Sequence, residues 1–556
     1  MLPGSIKRRP ALAAALVVFV VSGLALGLAQ KTSPLPLPRA QAVQAALHSR
    51  LTQKVLSKEH WTRTTVSAVD AGLARVSFFD GGQIVAQVAV RPDGVVTHGE
   101  AFTARSVPYG DWIAYQPALL IGLAALFVLM AGVAPWRRIR NLDVAAALSL
   151  VAPMVLLQRR YVDASVLSAV PGLGYLMLRC AVRGLGPDAD SKASTPLLDA
   201  LTAGWDAGRR LRLLRILLAA LVLVFVMVTV SSREAVDVAY AVMEGATKLI
   251  HGVLPYGHLQ GDVIHGDTYP LLSYALYTPL AWISPVQSTW SSVDLALGLA
   301  AASALAVAWA VFKSAAGGRL AGLRRSPDRE AAGLRAAMLW LAFPPLLAAV
   351  STGTSDVVLA ALLAVALVLW RRPALATGLL AAAAWFKLVP LALIPARLAT
   401  LRGRRLIHAL LAIVAISVPM LALLVALGGI RGPVTMLHAI SYQFSRGSPQ
   451  SLWAVLGVQS LQPWAQAGAL ALIVGASVRL AIHPQWERDT VRVAALAGAI
   501  LISLQLAANY WAFLYLIWTL PPIALSLLAQ TAPAVDAARV PERRLASPQP
   551  ELVGVR

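Results

Sequence analysis

The strongest constraint on this chain is its succession of apolar runs close to the length that crosses a bilayer. An α-helix rises 1.5 Å per residue, so about 20 residues span a hydrocarbon core of ~30 Å. Of the 556 residues, 58% are hydrophobic and 13% charged, a balance that excludes a soluble globule, because such runs need lipid around them. The reading is an α-helical polytopic membrane protein. Spans fall near residues 11–29, 117–134, 142–157, 163–181, 212–230, 292–312, 335–350, 355–371, 406–427, 464–481, 493–508 and 511–529.

The net charge of +22 raises nucleic-acid binding, but the Lys and Arg side chains sit mostly in short connections between apolar runs, where they set orientation. No basic face interleaved with aromatics occurs, so nucleic acid is not an expected partner. With Lys7-Arg8-Arg9 inside, residues 1–30 read as a retained signal anchor. Arg137-Arg138-Ile-Arg140, Arg179 and Arg183 then also fall inside, and Gln158-Arg159-Arg160 is a local exception. Cys180, the single cysteine, lies in an apolar run and makes no intrachain disulfide.

Residues 31–116 form an expected external α+β insert. A helical pattern over 40–56 precedes the Val-rich alternation of Val66 to Phe79 and of Ile84 to Val96, with turn signals at Gly81-Gly82 and Pro92-Asp93-Gly94. Extra transmembrane helices occupy 117–182 and a polar cytoplasmic connection 183–211. The main transmembrane region is 212–530, with outer loops 232–290 and 429–463, and residues 531–556 read as a disordered cytoplasmic tail.

Leu271 to Ile283 is too short to cross, at about 20 Å as helix. It is expected as an interfacial helix with Tyr269, Tyr274, Tyr277, Trp282 and Trp290 at headgroup level. Residues 373–398 are flanked on both sides by arginines, Arg371-Arg372 before and Arg397 to Arg405 after. The chain therefore goes in and returns, as a hairpin of two short helices (Ala374 to Phe386 and Leu388 to Ala396) with Lys387 at its tip. Counting its limbs gives about fourteen membrane helices.

With that orientation the outer loops after residue 231 hold only Arg233, Lys248, Arg431 and Arg446 as cations, against the acids Glu234, Asp237, Glu244, Asp262, Asp267 and Asp356. Positions 234, 237, 241 and 244 share one helical face with Tyr240 nearby, which fits either a solvated face or a carboxylate set against an acceptor hydroxyl as general base. Lys387 is an ionisable group inside apolar sequence, where a lone charge costs about 2.5 to 3.5 kcal/mol, so it reads as a phosphate-facing cation at the outer leaflet unless it snorkels. The loop 431–453 carries His438, Tyr442 and Arg446, and an Arg fork matches phosphate. His251, His258 and His265 lack a zinc spacing, and no Gly-rich phosphate loop occurs.

Several motifs stand in a fixed order: Asp237-Val-Ala-Tyr240; Gly252-Val-Leu-Pro-Tyr256; Asp267-Thr-Tyr-Pro270; Ser351-Thr-Gly-Thr-Ser-Asp356; Trp385-Phe-Lys387-Leu-Val-Pro390; Arg446-Gly-Ser-Pro-Gln-Ser-Leu-Trp453; and Tyr510-Trp-Ala-Phe-Leu-Tyr. This order over residues 212–529 resembles GT-C glycosyltransferases, and most of all glycosyltransferase family 87, the polyprenol-phosphate-mannose-dependent mannosyltransferases of actinobacterial type. Two departures stand out: Leu271 replaces a second proline after Pro270, and residues 1–211 precede the acidic loop.

The resemblance implies a GT-C-like bundle in a cell membrane, with both termini cytoplasmic and the active-site loops external. It implies transfer of a sugar, mannose first, from a polyprenyl-phosphate donor to a lipid-linked or cell-envelope glycan acceptor, with inversion. Asp237 matches the loop-start acid and is the implied general base, with Asp267 and Glu234 as substitutes. Glu234, Tyr240, Tyr256, His265, Asp267, Lys387, His438 and Arg446 are the implied substrate-binding residues. No cofactor is required, although the acids could hold a divalent cation. A secondary transporter or lipid flippase is the rival; it predicts inverted repeats and mid-membrane charge, whereas no repeat occurs here and the acids cluster in an outer loop. A signalling protein would need a cytoplasmic output domain larger than 183–211 and the tail.

Overall fold

The computed structural model describes residues 35–57, 60–70, 72–101, 110–186, 195–232, 235–259, 263, 266–286, 293–316, 327–445, 448 and 450–528. The anchor over 1–30 and the tail from Thr531 lie outside the described residues. The described chain is mostly helical, and seven of its helices are long and apolar enough to cross a membrane: Ile139–Gln158, Val162–Leu185, Ala207–Ser231, Asp294–Ala315, Gly403–Phe444, Gln459–Ile482 and Thr490–Ala507. An eighth candidate, Pro327–Leu341 with Pro344–Ser351, bends by 58° at its break, where Pro344 and Pro345 start the second helix without amide donors.

Two expected spans are shorter than a crossing. Pro117–Ala131 and Asp356–Val368 each run below 18 residues, and Asp356–Val368 is about 20 Å long at 1.5 Å per residue; Phe513–Leu528 runs to the last of the described residues. The expected hairpin after it has its first limb in Pro373–Phe386. Lys387 then leaves the helix in extended backbone, and the second limb is a 3-10 turn Val389–Leu393 followed by Ile394–Ala399. Proline opens each of these segments, where a missing N–H is least harmful.

The strands are β1 (Arg63–Asp70), β2 (Leu73–Asp80), β3 (Gln83–Val90) and β4 (Val96–Ala101), an antiparallel meander in chain order. The alternation over Val66 to Phe79 is thus two strands with a turn between them. Gly81, Gly82 and Gly94 take positive φ in the two later turns, as the turn signals require. Val76 opposes Val88 and Phe78 opposes Ala86; these pack under the helix Arg39–His48 through Ala42 and Ala46, in a small core of their own. The register shifts after Phe78, so that Ile84 rather than Val85 opposes Phe79. This bulge turns Ile84 to the other face, where it and Phe79 join the main core. The sheet is tied there by Arg63 Nη2 to Asp163 (2.7 Å) and by Ile84 N to the Arg160 carbonyl (3.1 Å).

Hydrogen bonds distinguish the two ends of the bundle. One end gathers arginines and their partners: Arg335 with Asp199 (2.7 Å), Arg397 with Glu487 (3.2 Å), and Arg492 Nη1 with the Gly186 carbonyl (2.6 Å). The other end gathers the loops that carry most of the expected site residues.

Candidate functional site

At that second end the chain leaves helix Ala207–Ser231 and enters Asp237–Ile250. Ser232 Oγ donates to the Ser351 carbonyl (2.6 Å) and Val236 N to the Thr352 carbonyl (2.9 Å). These bonds fix the start of the second helix against the 351–356 turn. Gly353 supplies the left-handed conformation that this turn needs (φ 68°). Asp237 is the first residue of its helix and exposed, with Oδ1 accepting from the Val238 amide at 2.8 Å. Tyr240 is buried, and Glu244, one turn from the Lys248 ammonium at 4.0 Å, is buried as well.

The following loop folds back onto this helix. Asp267 Oδ2 accepts from Gly257 N at 2.7 Å, Tyr256 donates to the Tyr269 carbonyl at 3.2 Å, and Tyr274 donates to the Gly266 carbonyl at 2.7 Å. Gly245 makes the approach of Tyr274 possible: a Cβ there would lie 2.2 Å from the ring. Burial pushes the Tyr256 phenol well above its ordinary range, and the Asp267 charge adds to it, so this hydroxyl remains a donor at neutral pH.

This packing corrects the placing of Tyr274 and Tyr277 in the interfacial reading of 271–283. Both are fully buried, whereas Trp282 and Ile283 are exposed, Trp282 at 80%; Tyr269 is half-buried and Trp290 lies outside the described residues. Two short helices, Leu272–Ala275 and Thr278–Ile283, replace the single expected one, and Ser273 Oγ donates to the Phe386 carbonyl next to Lys387.

Lys387 is not a free cation. Its ammonium lies 2.7 Å from Asp356 Oδ1 and 5.1 Å from the centroid of the Tyr269 ring, with only 11% of its side chain exposed. Asp356 is 1% exposed and accepts from Trp518 Nε1 at 3.0 Å and from Thr354 Oγ1 at 2.8 Å as well. Removing two charges from water is unfavourable by several kcal/mol per ion, and it is tolerable here because the pair is close and the carboxylate holds three donors. The arrangement holds the Lys387 ammonium against Asp356 and leaves it N–H donors beyond the one given to that carboxylate. Tyr277 completes the surroundings: its hydroxyl is buried and has no hydrogen-bond partner among the described residues, and burial, with the Asp356 charge second, raises its pKa.

Helix Gly432–Ser445 covers this region from the side. His438 is exposed on it, and Gln443 Nε2 donates to Thr268 Oγ1 on the loop that carries Asp267 and Tyr269. Trp511 N donates to the Gln450 carbonyl (2.9 Å), which brings in the segment that precedes Trp518. The structure therefore joins Tyr256, Asp267 and Lys387 in one contact chain, and the helix that carries Asp237 and Tyr240 is tied at its start to the 351–356 turn through Val236 and Thr352. Glu234, His265 and Arg446 lie outside the described residues. Asp356, Thr354, Trp518 and Tyr277 are not among the candidate site residues of the sequence reading, which placed Asp356 among the outer-loop acids and Tyr277 at headgroup level, although a buried acid and a buried cation with the same outward placement each need a partner. Among the described residues no three His, Cys, Asp or Glu side chains come together as a metal site.

Residues 268–514 match the model of the family described as Glycosyltransferase family 87. The match includes Asp356, Lys387, His438 and Arg446, begins one residue after Asp267 and ends before Trp518. A comparison with curated proteins gives no match.

Proposed function

Because residues 268–514 identify the chain as a family 87 glycosyltransferase, a membrane enzyme of GT-C type, we propose that it transfers a sugar from a polyprenyl-phosphate donor to a lipid-linked or cell-envelope glycan on the outer face of a cell membrane. Mannose is the first sugar to test. In this reading the chain has about fourteen membrane helices, the short ones included, and both termini are cytoplasmic.

The observation that carries the proposal is Lys387, a buried charged donor inside the matched region and at the same end of the bundle as Asp237. The acceptor hydroxyl oxygen attacks the anomeric carbon while the bond from that carbon to the phosphate oxygen breaks, so one displacement inverts the centre. The hydroxyl proton passes to Asp237. The departing polyprenyl phosphate keeps the bonding electrons, and Lys387, Arg446 and the imidazoles of His265 and His438 stabilise its added charge. Glu234, Tyr240, Tyr256 and Asp267 position the sugar and acceptor hydroxyls.

The test is transfer of radiolabel from polyprenyl-phosphate mannose to membrane acceptors by purified protein in liposomes, wild type against Asp237→Asn. Loss of a general base lowers turnover by about 10² to 10⁴, with donor binding and folding retained. Full activity of Asp237→Asn removes the base assignment. No transfer by wild type from any polyprenyl-phosphate sugar removes the donor class.

A further inference from the structure

The four-stranded sheet precedes the residues matched by the family model, yet the chain that leaves it reaches the transfer site. Ahead of helix Pro117–Ala131 stands the 3-10 turn Trp112–Tyr115, preceded by Gly110 and Asp111. Asp111 starts this turn, its Oδ1 accepting from the Ile113 amide at 2.9 Å. Ala114 is fully buried in the main core, with Ile113 and Tyr115 packed against it, so the segment is fixed to the bundle.

Gly110 is buried and takes the left-handed conformation, φ 84°. A Cβ there would lie 2.6 Å from Ser351 Oγ and 2.8 Å from Thr352 Cγ2, closer than side chains approach in folded proteins. Backbone angle and space both call for glycine.

The turn it touches joins the two halves of the site. The Ser351 and Thr352 carbonyls hold Ser232 and Val236, at the entry to the Asp237 helix. In the other direction Thr352 Oγ1 accepts from Thr354 N at 3.3 Å, and Thr354 Oγ1 donates to Asp356 Oδ2 at 2.8 Å. Asp356 is the counter-charge of Lys387.

The sheet bears on the same place by a second route. Beside the bonds of Arg63 and Ile84, Gln83 Nε2 donates to the Arg159 carbonyl at 2.9 Å. Helix Val151–Gln158, which ends there, packs against Pro344–Ser351, as does the Trp112–Tyr115 turn. Both attachments of the sheet thus converge on the helix that delivers Ser351.

We propose that Gly110 and the turn behind it are a positioning element for sugar transfer, setting the 351–356 turn that orients Asp237 on one side and Lys387 on the other. The N-terminal sheet is then part of the transferring enzyme. This rests on the transfer reading above: no transfer by wild type removes that reading, whereas a Gly110→Ala enzyme as fast as wild type removes only this one.

The experiment is steady-state transfer by the full chain in liposomes, with rates taken per folded enzyme. Gly110→Ala pushes on Ser351 and Thr352, and a small misplacement of reacting groups is expected to lower kcat about 10- to 100-fold with the donor KM little changed, because the displaced groups act in the transition state. Gly82→Ala is the control: its φ is 89° in the same sheet, but nothing lies within 4 Å of the added methyl, and kcat stays at the wild-type value. In a Ser351→Ala/Thr352→Ser background both close atoms are gone, and adding Gly110→Ala costs no more than Gly82→Ala does in wild type. Unchanged kcat in Gly110→Ala, an equal fall in Gly82→Ala, no rescue in that background, or a rise of KM alone overturns the proposal. If Gly110→Ala does not fold, Asp111→Ala, which loosens the same turn without a clash, is read in its place: a smaller fall of kcat at constant KM supports the positioning role, and wild-type kcat overturns it.

Discussion

Replacing the two members of the buried pair separately and together tests whether Lys387 is there for the fold or for the phosphate. Lys387→Met leaves Asp356, 1% exposed, with two neutral donors and no cation; Asp356→Asn leaves the ammonium with no counter-charge at 2.7 Å. Breaking a buried pair by removing one partner destabilises by about 3 to 5 kcal/mol, because a charge is left uncompensated. Asp356→Asn/Lys387→Met removes both charges, and neutral replacement of a buried pair is often close to neutral in stability. The expected outcome is strong non-additivity: each single variant loses about 3 kcal/mol or more, and the double recovers most of it. Unfolding midpoints and denaturant titrations in detergent report the stability, and the polyprenyl-phosphate assay is run on the same preparations. Additive effects, or single losses below about 1 kcal/mol, refute the energetic reasoning. A stable double variant with full transfer refutes the role of Lys387 at the phosphate.

Two further predictions concern packing on either side of the site. Gly245→Ala places a methyl 2.2 Å from the Tyr274 ring and is expected to destabilise by about 1 to 3 kcal/mol through overpacking; a midpoint within error of wild type shows that the 266–274 loop does not rest on this helix. At the arginine end, Glu487→Gln leaves the buried Arg397 without its charge partner, whereas Arg397→Met leaves Glu487 still held by Arg405. Glu487→Gln is therefore expected to cost about 3 to 5 kcal/mol and Arg397→Met less, and the reverse order in a denaturant titration contradicts the pairing.

Apolar length and charge placement made the long helices, the insert and the break at Lys387 legible, because each follows from a local rule: hydrocarbon thickness, strand alternation, or proline at a helix start. The short helices were not legible in the same way. Residues 355–371 have the composition of a span, but their helix ends early, after Val368, at the turn that begins with Leu369. Tyr274 and Tyr277 show the same limit. An aromatic in an apolar segment suits a membrane interface and a protein core equally, and only the opening left by Gly245, with the hydrogen bond of Tyr274 to the Gly266 carbonyl and of its neighbour Ser273 to the Phe386 carbonyl, decides for the core. The pairing of Asp356 with Lys387 spans 31 positions, has no periodic signal and was not read from the sequence; the signal that could have found it is that neither charge is stable alone in that setting.

The shortness of those helices bears on where the chemistry takes place. Asp356–Val368 and Pro373–Phe386 join through the turn that carries Arg371 and Arg372, and each is about 20 Å long. With that turn at one membrane surface, a hydrocarbon core of ~30 Å leaves Asp356 and Lys387 about 10 Å below the other. The space above them is occupied by the loop 266–283 and the helix Gly432–Ser445, packed through Leu254, Tyr256, Tyr274, Met436 and Ile440. In the proposed transfer, Lys387 would be a recessed cation under a protein roof, meeting a lipid phosphate drawn slightly inward from the headgroup layer, with Asp237 an exposed acid at the start of its helix. In that proposal the low-polarity surroundings would strengthen the attraction of Lys387 for the leaving phosphate, and Asp356 at 2.7 Å is the counter-charge that offsets the cost of burying the ammonium.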